Sequence, residues 1–370
     1  MATISLTEKY TDQLRAEILK GKWRDPNTYL NETQLREYFD ISRVTVRRIL
    51  ANLQEENILK SVPSKGYVLG PAVVMKQRKN DNKNKKKTNK ILFVRSPNLF
   101  EFQRNSNEQE ILDAASSEAK LLGLELEFCQ LPLKILVKEL KEGFKDKIRG
   151  VVLQWYEREV AETLLKLGMP TVMIEYAHHD INMDAVVQDN EGGIDQAIEL
   201  LWNKGHRNIG LAVWDENWYQ PIERQKAFVS SLLLKDSLNT NFIGKTNRYD
   251  NEGGREIVRQ LFGKSKKSPS ALIISHLNMA VGIFEELEKL KIKPCVDVGI
   301  IAWGTRTMKE LTFKGSKWEN LEFPLISWSR KDMGKLIVRS LETRYHNPLL
   351  PPILVKLPIQ IINPKLEIPQ

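Results

Sequence analysis

The segment from residue 31 to residue 69 limits the possible folds of this chain more than any other part. It reads NETQLREYFDISRVTVRRILANLQEENILKSVPSKGYVL, and its apolar residues have helical spacing on both sides of a turn at 40–41. Ser42, a good N-cap residue, begins the second helix. A strand, a turn containing Pro, Ser and Gly, and a second strand follow over 58–69. The pattern predicts a helix-turn-helix followed by a two-stranded hairpin.

The second predicted helix has an apolar face and a basic face. On a helical wheel, the apolar face collects Val46, Ile49, Leu50 and Leu53. The opposite face collects Arg43, Val44, Arg47, Arg48 and Ala51. A helix that presents three arginines can enter the major groove, where arginine binds phosphates or pairs bidentately with guanine. The alternative is a solvated basic face on an ordinary surface helix, but the adjoining helix, turn and hairpin favour a DNA-reading module.

The excess positive charge of the chain is confined to its N-terminal quarter. The formal net charge is +9 over 370 residues. Residues 1–90 hold 19 Lys and Arg against 10 Asp and Glu, whereas the rest of the chain holds 37 of each. Such an asymmetry is typical of a protein with a polyanion partner. A basic membrane-surface helix is the other possibility, but the N-terminal helix lacks a large aromatic apolar face.

Three stretches of the N-terminal region together resemble the GntR-type winged helix: YTDQLRAEILKGKW, YLNETQLREYFDISRVTVRRIL and KGYVL. The resemblance implies that the first helix ends at Gly21, that Ser42 opens the recognition helix, and that the wing approaches the minor groove near Lys65. We therefore expect DNA contacts at Ser42, Arg43, Thr45, Arg47, Arg48, Lys65 and Gly66. Thr33 stands where the family usually has an arginine, so the operator preference of the family cannot be transferred to this chain.

A change of composition marks the end of this module. Residues 71–90, PAVVMKQRKNDNKNKKKTNK, are rich in Lys and Asn and cannot bury enough apolar surface to fold alone. Like charges should keep the segment extended, either as a solvated tether or as a non-specific contact for DNA phosphates. We expect a winged helix-turn-helix domain over 1–70, a basic flexible linker over 71–90, and a two-lobed effector-binding and dimerisation domain over 91–370.

From residue 90 onward, short Val- and Ile-rich runs alternate with helical stretches. The expected strands are ILFVRS, LELEFCQL, GVVLQWY, PTVMIE, AVVQD, NIGLAVW, a run around 242–248, ALIISH, VGIIAW and PLISW. The expected helices are 108–122, 133–143, 158–167, 192–204, 222–234, 252–262, 278–290 and 331–345. This alternation predicts an α/β fold with parallel, doubly wound sheets. About 275 residues is long for one such sheet, so we expect two lobes around a ligand cleft at the carboxyl ends of the strands.

The block VVQDNEGGIDQAIELLWNKGHRNIGLAV, residues 186–213, resembles the LacI/GalR-type effector domain. The likeness extends more faintly over roughly 91–360 and implies a type I periplasmic-binding-protein fold. It also implies that the domain binds a small molecule, usually a sugar or a nucleobase, without chemistry. Joined to a GntR-type head, the whole chain resembles the arabinose-repressor type of hybrid regulator.

The second resemblance implies a ligand site in the cleft. We expect this site to involve Arg224, Tyr249, Trp214, Trp218 and Trp303. An isolated arginine more often forms a surface salt bridge, and a single tryptophan more often packs in a core, so those alternatives stay open. Gly304 occupies the position of the family's aspartate, and His276-Leu277 replace an asparagine–aspartate pair. Loss of these carboxylates favours an acidic ligand, a protein partner or no ligand over an ordinary pentose or hexose.

Other classes of function find little support in the sequence. No nucleophile elbow, complete phosphate loop or zinc-spaced cluster is present, and the adjacent His178 and His179 cannot easily face one metal together. We therefore expect no catalytic residues, no metal and no cofactor. Cys129 and Cys295 are the only cysteines, which fits a reducing cytoplasm, and no signal peptide or run of about 18 apolar residues is found.

These patterns predict a cytoplasmic, ligand-responsive transcriptional regulator that represses carbohydrate or related catabolic genes. A homodimer would bring two winged helices to a pseudo-palindromic operator, and ligand binding would shift the DNA affinity of the dimer. The alternative is a small-molecule sensor whose basic head does not read specific DNA. The effector stays open between a sugar and an acidic metabolite, as does the direction in which it shifts DNA binding.

Overall fold

This computed structural model describes residues 6–20, 22, 30–63, 66–70, 88–95, 107–144, 147–154, 158–178, 180–215, 218–263 and 267–363. The chain divides into two compact units, Met1–Thr88 and Asn89–Gln370, which we call the head and the effector unit. Most of the expected linker, residues 71–87, lies outside the described residues. The domain boundaries at 70 and 90 therefore stay predictions.

The described part of the head contains three helices and a small hairpin. These elements are α1 (Leu6–Lys20), α2 (Glu32–Phe39), α3 (Arg43–Glu55), β1 (Leu59–Val62) and β2 (Gly66–Leu69). Asn31 caps α2, because its side chain accepts a hydrogen bond from the Gln34 amide at 2.8 Å. Asp40 ends α2 in a left-handed conformation with a φ of 52°, and this turns the chain sharply into α3. The predicted order of helix, turn, helix and hairpin is confirmed.

The apolar face of α3 forms the core of the head. Its members are each at most 1% exposed, as the helical wheel predicts: Val46, Ile49, Leu50 and Leu53. They pack in one cluster with Leu14 and Ile18 of α1 and with Leu35 of α2. Strands β1 and β2 pair antiparallel, and Tyr67 of β2 bridges to Leu30 ahead of α2. Because one face of α3 is fully buried, its arginine-bearing face is left to solvent.

The first sheet of the effector unit is parallel throughout. The elements of this lobe are β3 (Lys90–Arg95), α4 (Asn107–Leu121), β4 (Glu125–Cys129), α5 (Leu133–Lys138), β5 (Gly150–Gln154), α6 (Arg158–Lys166), β6 (Thr171–Ile174), β7 (Asp184–Gln188) and, from the end of the chain, β13 (Leu354–Leu357). The strand order is β13-β7-β6-β5-β3-β4. Helix α5 continues as a π-helical turn, Glu139–Gly143. Strands β5, β6 and β7 are buried along their whole length, as is typical of parallel sheets.

The second sheet is parallel except at one edge. Its lobe contains α7 (Asn190–Asn203), β8 (Ile209–Trp214), α8 (Tyr219–Leu234), β9 (Ile243–Thr246), α9 (Asn251–Phe262), β10 (Ala271–Ile274), α10 (Ala280–Lys289), β11 (Gly299–Trp303), α11 (Arg306–Phe313), β12 (Leu325–Ser327) and β14 (Gln360–Ile362). The order is β14-β12-β11-β10-β8-β9, and β14 runs antiparallel to β12. Short 3₁₀ helices, Thr240–Phe242 and Leu277–Met279, precede β9 and α10. The two sheets confirm the predicted two-lobe α/β fold.

Helix α12 (Arg330–His346) connects the two lobes. It follows β12 of the second sheet, yet it packs against α4 and against β5, β6 and β7 of the first lobe. Arg344 of α12 donates two hydrogen bonds to Asp184 at the start of β7, at 2.6 and 2.7 Å. The chain then contributes β13 to the first sheet and β14 to the second. Three crossings between the lobes thus hold residues 89–370 in one compact unit.

The sequence pattern missed the three elements α11, β13 and β14. The two strands lie in PPILVKLPIQII, residues 351–362, where three prolines interrupt the apolar run. Because proline removes a hydrogen bond from the ladder, such a stretch does not indicate a strand. Each of these strands lies at the edge of its sheet, where proline is tolerated.

The carboxyl ends of the parallel strands carry many buried polar side chains. They include Arg95, Gln154, Glu175, Gln188, Ser275 and His276. In doubly wound α/β folds a ligand usually binds at this edge of the sheet, so we call these strand ends the candidate ligand cleft. Within the described part of the chain, every helix is too short or too polar to cross a membrane.

Candidate DNA-binding surface and ligand cleft

The outward face of α3 is basic and exposed. Arg43, Arg47 and Arg48 all reach solvent, and Val44 beside them is 62% exposed. A small apolar side chain of this kind can contact a thymine methyl group, while arginines reach phosphates or guanine edges. This face therefore has the composition that docking in a major groove requires.

Arg47 is held in place by a carboxylate of the preceding helix. Its Nε donates to Glu32 Oε1 and Oε2 at 2.9 and 3.0 Å, and 67% of the Arg47 side chain remains exposed. The hydrogen bond that Arg47 donates to Glu32 raises the pKa of Arg47 above its ordinary value. Because the pair uses only Nε, both terminal nitrogens remain available, among the described contacts, for a base or a phosphate.

Ser42 and Thr45 fix the beginning of α3. Ser42 Oγ accepts a hydrogen bond from the Thr45 amide at 3.2 Å and lies 2.9 Å from Thr45 Oγ1. This cap satisfies an amide that the first turn of a helix would otherwise leave without a partner. These two residues, which we expect to bind DNA, therefore also stabilise the first turn of α3.

Gly66 allows the wing to pass close to the chain ahead of α2. Its φ is +111°, and a Cβ at this position would lie 2.5 Å from the Leu30 carbonyl oxygen. Only glycine fits such a conformation and such a gap without strain. Lys65, the expected wing contact, and Gly21, the expected end of the first helix, lie outside the described residues. Their roles stay predictions.

Arg224 of α8 lies inside the ligand cleft and not on the surface. It is only 2% exposed. Its Nε donates to Asn190 Oδ1 at 2.8 Å, and its Nη1 donates to the Ser275 carbonyl at 2.5 Å. The same Nη1 lies 3.2 Å from His276 Nε2, and the Trp303 ring lies 3.8 Å from the guanidinium carbon. Arg224 therefore does not form the surface salt bridge that the sequence left open as an alternative.

An aromatic wall, formed by Trp214, Tyr249 and His276, lies next to Arg224. The Tyr249 ring centroid is 4.9 Å from that of Trp214 and 4.9 Å from that of His276. Trp214 Nε1 donates to the Asn247 carbonyl at 3.3 Å, which fixes the edge of the wall. The structure thus brings Trp214 and Tyr249 together near Arg224, and their role in binding a ligand stays a prediction.

The other two expected tryptophans lie on different sides of the cleft. Trp303, at the end of β11, is 1% exposed and packs against Gly193 of α7, where a Cβ would lie 2.6 Å from the ring. Trp218 directly precedes α8, and its ring is 6.4 Å from that of Tyr176 in the first lobe. The next residue, Tyr219, packs in the core of the first lobe. Trp303 is therefore part of the cleft floor, while Trp218 belongs to the contact between the lobes.

The two departures from the family pattern at Gly304 and Leu277 are coupled. A Cβ added to Gly304 would collide with Leu277 Cδ1. Leu277 is fully buried, and the 3₁₀ turn that it begins follows β10, next to β11 in the sheet. The leucine therefore occupies the space that the side chain of an aspartate at 304 would need. The apolar side chain of Leu277 thus fills the space beside position 304, where the resemblance implies a carboxylate.

Sequence reasoning missed a buried carboxylate and its neighbours. Glu175 directly follows β6, is 7% exposed and has a φ of +66°, which is uncommon for a residue other than glycine. Gln154 and Gln188 donate to its two oxygens at 2.8 and 3.4 Å. Arg95 at the end of β3 and Arg330 at the start of α12 are also buried. Their positions at strand ends and at a helix start were the signal that could have identified them.

Burial dominates the electrostatics of the cleft. It lowers the pKa of Arg224 to about 9, and it also lowers the pKa of Arg95 and that of Arg330, while Glu175 partly opposes all three shifts. A guanidinium with a pKa of about 9 is still a cation at neutral pH. Burial and the neighbouring Arg224 hold the pKa of His276 well below 6.5, so this imidazole is neutral at pH 7.

Asp189 and Asn190 have positioning roles. Asp189 caps α7 by accepting a hydrogen bond from the Gly192 amide at 3.1 Å. Asn190 accepts from Arg224 and donates to the Gln188 carbonyl at 3.0 Å, so it orients the arginine. Over the described ranges, no group of three or more His, Cys, Asp or Glu side chains is placed to hold a metal ion, and His179 falls outside those ranges.

Comparison with known protein families matches both units. Residues 6–69 match the family of bacterial regulatory proteins called the gntR family, and residues 198–315 match the periplasmic binding protein-like domain. A curated relative, a ribose operon repressor of Haemophilus influenzae, is 22% identical over 217 residues. These residues are 58% of this chain and 63% of the relative, so the match spans less than two thirds of the relative's length.

Several solved structures share the fold. A putative LacI transcriptional regulator of Bacillus cereus subsp. cytotoxis is 18% identical with a TM-score of 0.63, over 74% of this chain and 96% of that chain. The regulator CelR in complex with cellobiose is 16% identical with a TM-score of 0.63, over 87% and 90%. The lac repressor dimer bound to operator and an anti-inducer is 12% identical with a TM-score of 0.63, over 79% and 98%. At these identities, the likeness shows the fold alone.

Proposed function

We propose that this chain, a GntR-type DNA-binding head joined to an effector domain of LacI-type fold, is a ligand-responsive transcriptional repressor. The observation that carries the proposal is the exposed arginine face of α3, on a helix that is capped at Ser42 and backed by a buried core. A module of this kind reads DNA by placing its second helix in the major groove. The name of the curated relative, a ribose operon repressor, supports a role in carbohydrate or related catabolic genes.

In the head, the residues of α3 divide the work of recognition. Arg47, oriented by Glu32, reads a base edge, while Arg43 and Arg48 contact phosphates or neighbouring bases. Lys65 and Gly66 bring the wing to the minor groove. Two heads on a homodimer bind two half-sites of an inverted repeat. The lac repressor structure, a dimer on its operator, supports this arrangement for a chain with the same effector fold.

The effector unit binds a small polar molecule and does not transform it. Arg224 and the aromatic wall belong to the second lobe, whereas Gln154, Glu175 and Gln188 end strands of the first. A ligand that contacts both sets stabilises one arrangement of the lobes, and a dimer can pass this bias to its heads as a change in DNA affinity. Because its partner is chromosomal DNA, we place the protein in the bacterial cytoplasm.

The experiment that tests the proposal is capture of sheared host DNA by the purified full chain, followed by sequencing of the bound fragments. We expect a few sharp peaks that share an inverted repeat and that persist at about 0.15 M salt, where non-specific contacts are screened. A flat profile that vanishes at moderate salt would overturn the proposal. The chain would then be a small-molecule sensor whose basic head does not read specific DNA.

A further inference from the structure

Two tryptophans lie side by side in the second lobe, at the carboxyl ends of neighbouring strands. Trp303 ends β11, and Trp328 directly follows β12, which pairs with β11 in parallel. The register places Trp303 beside Ile326, and Trp328 is two residues further along, so both indoles should extend from the same face of the sheet. Their ring centroids are 6.5 Å apart, and both rings belong to one buried cluster. The two rings therefore form an aromatic pair at the edge of the candidate ligand cleft.

Each indole of this pair has a buried donor without an acceptor among the described residues. Trp303 is 1% exposed and Trp328 is 8% exposed, and in both the atom that lacks a hydrogen-bond partner is Nε1. An indole N–H can only donate, and a buried donor that stays unsatisfied costs free energy. Buried polar groups are therefore normally paired. Two such donors on neighbouring rings indicate that an acceptor comes from outside the chain.

The packing of Trp303 fixes the direction of its donor. The six-membered ring faces Gly193 of α7, where a Cβ would lie 2.6 Å from Cη2. The guanidinium carbon of Arg224 lies 3.8 Å from the centre of the ring. Because one edge and one face are occupied in this way, Nε1, at the other end of the indole, cannot turn to a new partner without the loss of these contacts. The donor is thus oriented before any ligand binds.

Two buried acceptors near Arg224 indicate what the ligand offers besides an acceptor. Oε1 of Gln188 and Oε1 of Gln220 also lack a hydrogen-bond partner among the described residues, and both side chains are 3% exposed. Gln220 lies one helical turn before Arg224 on α8, and Asn190, which accepts from Arg224, donates to the backbone carbonyl of Gln188. A hydroxyl group fits such surroundings, because it can accept and donate at the same time.

We infer that Trp303 and Trp328 form a paired donor site whose two indole N–H groups receive a hydroxyl oxygen of the effector. The inference rests on the proposed function, because it assigns two binding residues to the same cleft. A hydroxyl oxygen has two lone pairs and can accept from both indoles. Trp328 also stands between β12 of the second lobe and α12, which packs on the first, so a ligand held here contacts a segment that joins the lobes.

The indole N–H signals of the ¹⁵N-labelled full chain test the inference directly. The chain has eight tryptophans, and Trp303→Phe and Trp328→Phe each assign one signal by its disappearance. The probes are ribose, glucose, cellobiose and gluconate, each added at millimolar concentration. We expect at least one probe to move both assigned signals downfield, as formation of a hydrogen bond does. A panel that leaves both signals in place would overturn the inference.

The affinity for that probe measures what each donor contributes. Phenylalanine keeps an aromatic ring and removes the N–H, so Trp303→Phe and Trp328→Phe should each bind the probe about 3- to 10-fold more weakly than the parent. The matched control is Trp318→Phe, whose ring packs against Phe284 outside the pair. It should bind the probe like the parent. Unchanged affinity in both cleft variants would overturn the inference.

Melting without ligand separates a donor kept for a ligand from one that the free protein already satisfies. Trp328 and Trp318 are both 8% exposed, so their replacement by phenylalanine removes the same atoms at similar burial. Because Trp328→Phe also removes an unsatisfied donor, we expect its melting temperature to fall less than that of the control, by about 2 °C or more. An equal or larger fall would overturn the inference. If a variant does not fold, movement of two of the indole signals of the parent still decides.

These outcomes are distinguishable from failure of the proposed function. Capture of specific DNA by a chain whose indole signals do not respond would keep the regulator and remove the paired donor site. A response of both indole signals with a flat DNA profile would keep the site and remove the regulator.

Discussion

Recognition of DNA by the head centres on the pair formed by Arg47 and Glu32. Because Arg47 is exposed and pre-oriented, Arg47→Ala should weaken binding to the preferred operator by about 1–3 kcal/mol. Glu32→Gln should leave non-specific binding unchanged or slightly stronger, because it removes a negative charge near the phosphates, but it should reduce the preference for the operator over a scrambled duplex. Fluorescence anisotropy with both duplexes measures the two effects.

Lys226→Ala is the control for this measurement, since it removes one exposed positive charge from the effector unit. It should bind both duplexes like the parent. An Arg47→Ala variant that binds the operator as tightly as the parent would show that α3 is not the recognition helix. A Glu32→Gln variant with undiminished operator preference would show that the ion pair does not orient Arg47.

His276 makes the stability of the effector unit depend on pH. Its folded-state pKa is held well below 6.5 by burial and by Arg224, whereas an unfolded histidine has a pKa of about 6.5. The unfolded chain therefore binds the proton more readily, so this contribution is full above pH 6.5 and declines as the pH falls below it. We expect the melting temperature to fall from pH 7.5 to pH 5.5, and to fall less steeply in His276→Gln.

Buried His206, whose pKa is also lowered by burial, acts in the same direction and persists in the variant. The test is therefore the difference between the two slopes and not the disappearance of pH dependence. Parallel slopes for the parent and His276→Gln would contradict a neutral, buried imidazole in the folded state.

Among single residues, the sequence predicts some members of the site and misses others for a physical reason. The exposed face of α3 follows from helical periodicity, and Arg224 with its aromatic neighbours follows from the resemblance. Arg95, Glu175 and Arg330 were missed because they are far apart in the chain, and their positions at strand ends and at a helix start are the only local signal that they share. Only the parallel sheet and the crossing into α12 bring them into one cleft.

The residue that follows β11 and the 3₁₀ turn that follows β10 compete for the same volume in the core. Gly304→Ala should destabilise the effector unit by about 1–3 kcal/mol, because its Cβ collides with Leu277 in a packed core. Leu277→Ala alone should cost about 2–5 kcal/mol by leaving a cavity. The double variant should lose less stability than the two single variants lose together, because the smaller side chain at position 277 leaves room for the new Cβ at position 304. Denaturant unfolding of the four proteins measures this coupling, and additive effects would contradict it.

The elements that the sequence predicted are those with long apolar periods. The βα alternation indicates the strands of both lobes most clearly where they are buried along their whole length, as in β5, β8 and β11. Strands β13 and β14 escape the same reasoning, because prolines flank them and each is only partly buried at a sheet edge. Helix α12 returns to the first lobe because of contacts between residues far apart in the chain, such as the ion pair of Arg344 with Asp184. No local sequence pattern indicates such contacts.

For the whole molecule, the charge distribution predicts how DNA binding responds to salt. Replacing Lys83, Lys85, Lys86 and Lys87 with glutamine should weaken binding to operator and to scrambled DNA by the same factor. It should also reduce the salt dependence, since each phosphate contact contributes about 0.9 to the slope of log affinity against log salt. Titrations between about 0.05 and 0.2 M salt measure this. An unchanged slope would mean that the linker is a solvated tether.

The division of the chain into domains could be predicted from the sequence, whereas the class of ligand could not. Charge asymmetry and two distinct periodicities separate a basic head from a two-lobe α/β unit, and both family matches agree with this division. The class of effector could not be settled from the sequence. It depends on which polar and aromatic side chains the fold brings together at the strand ends.

Binding of a ligand in the cleft should change the affinity of the head for DNA. The measurement that decides this is a titration of the captured inverted repeat with the full chain, with and without the small molecule, from a panel of sugars and organic acids, that raises the melting temperature of the protein most. We predict that this ligand changes the dissociation constant by about 5- to 150-fold, the usual range of coupling between sites, and that Arg224→Met abolishes this change. A dissociation constant that is the same with and without the ligand would show that the cleft does not control DNA binding.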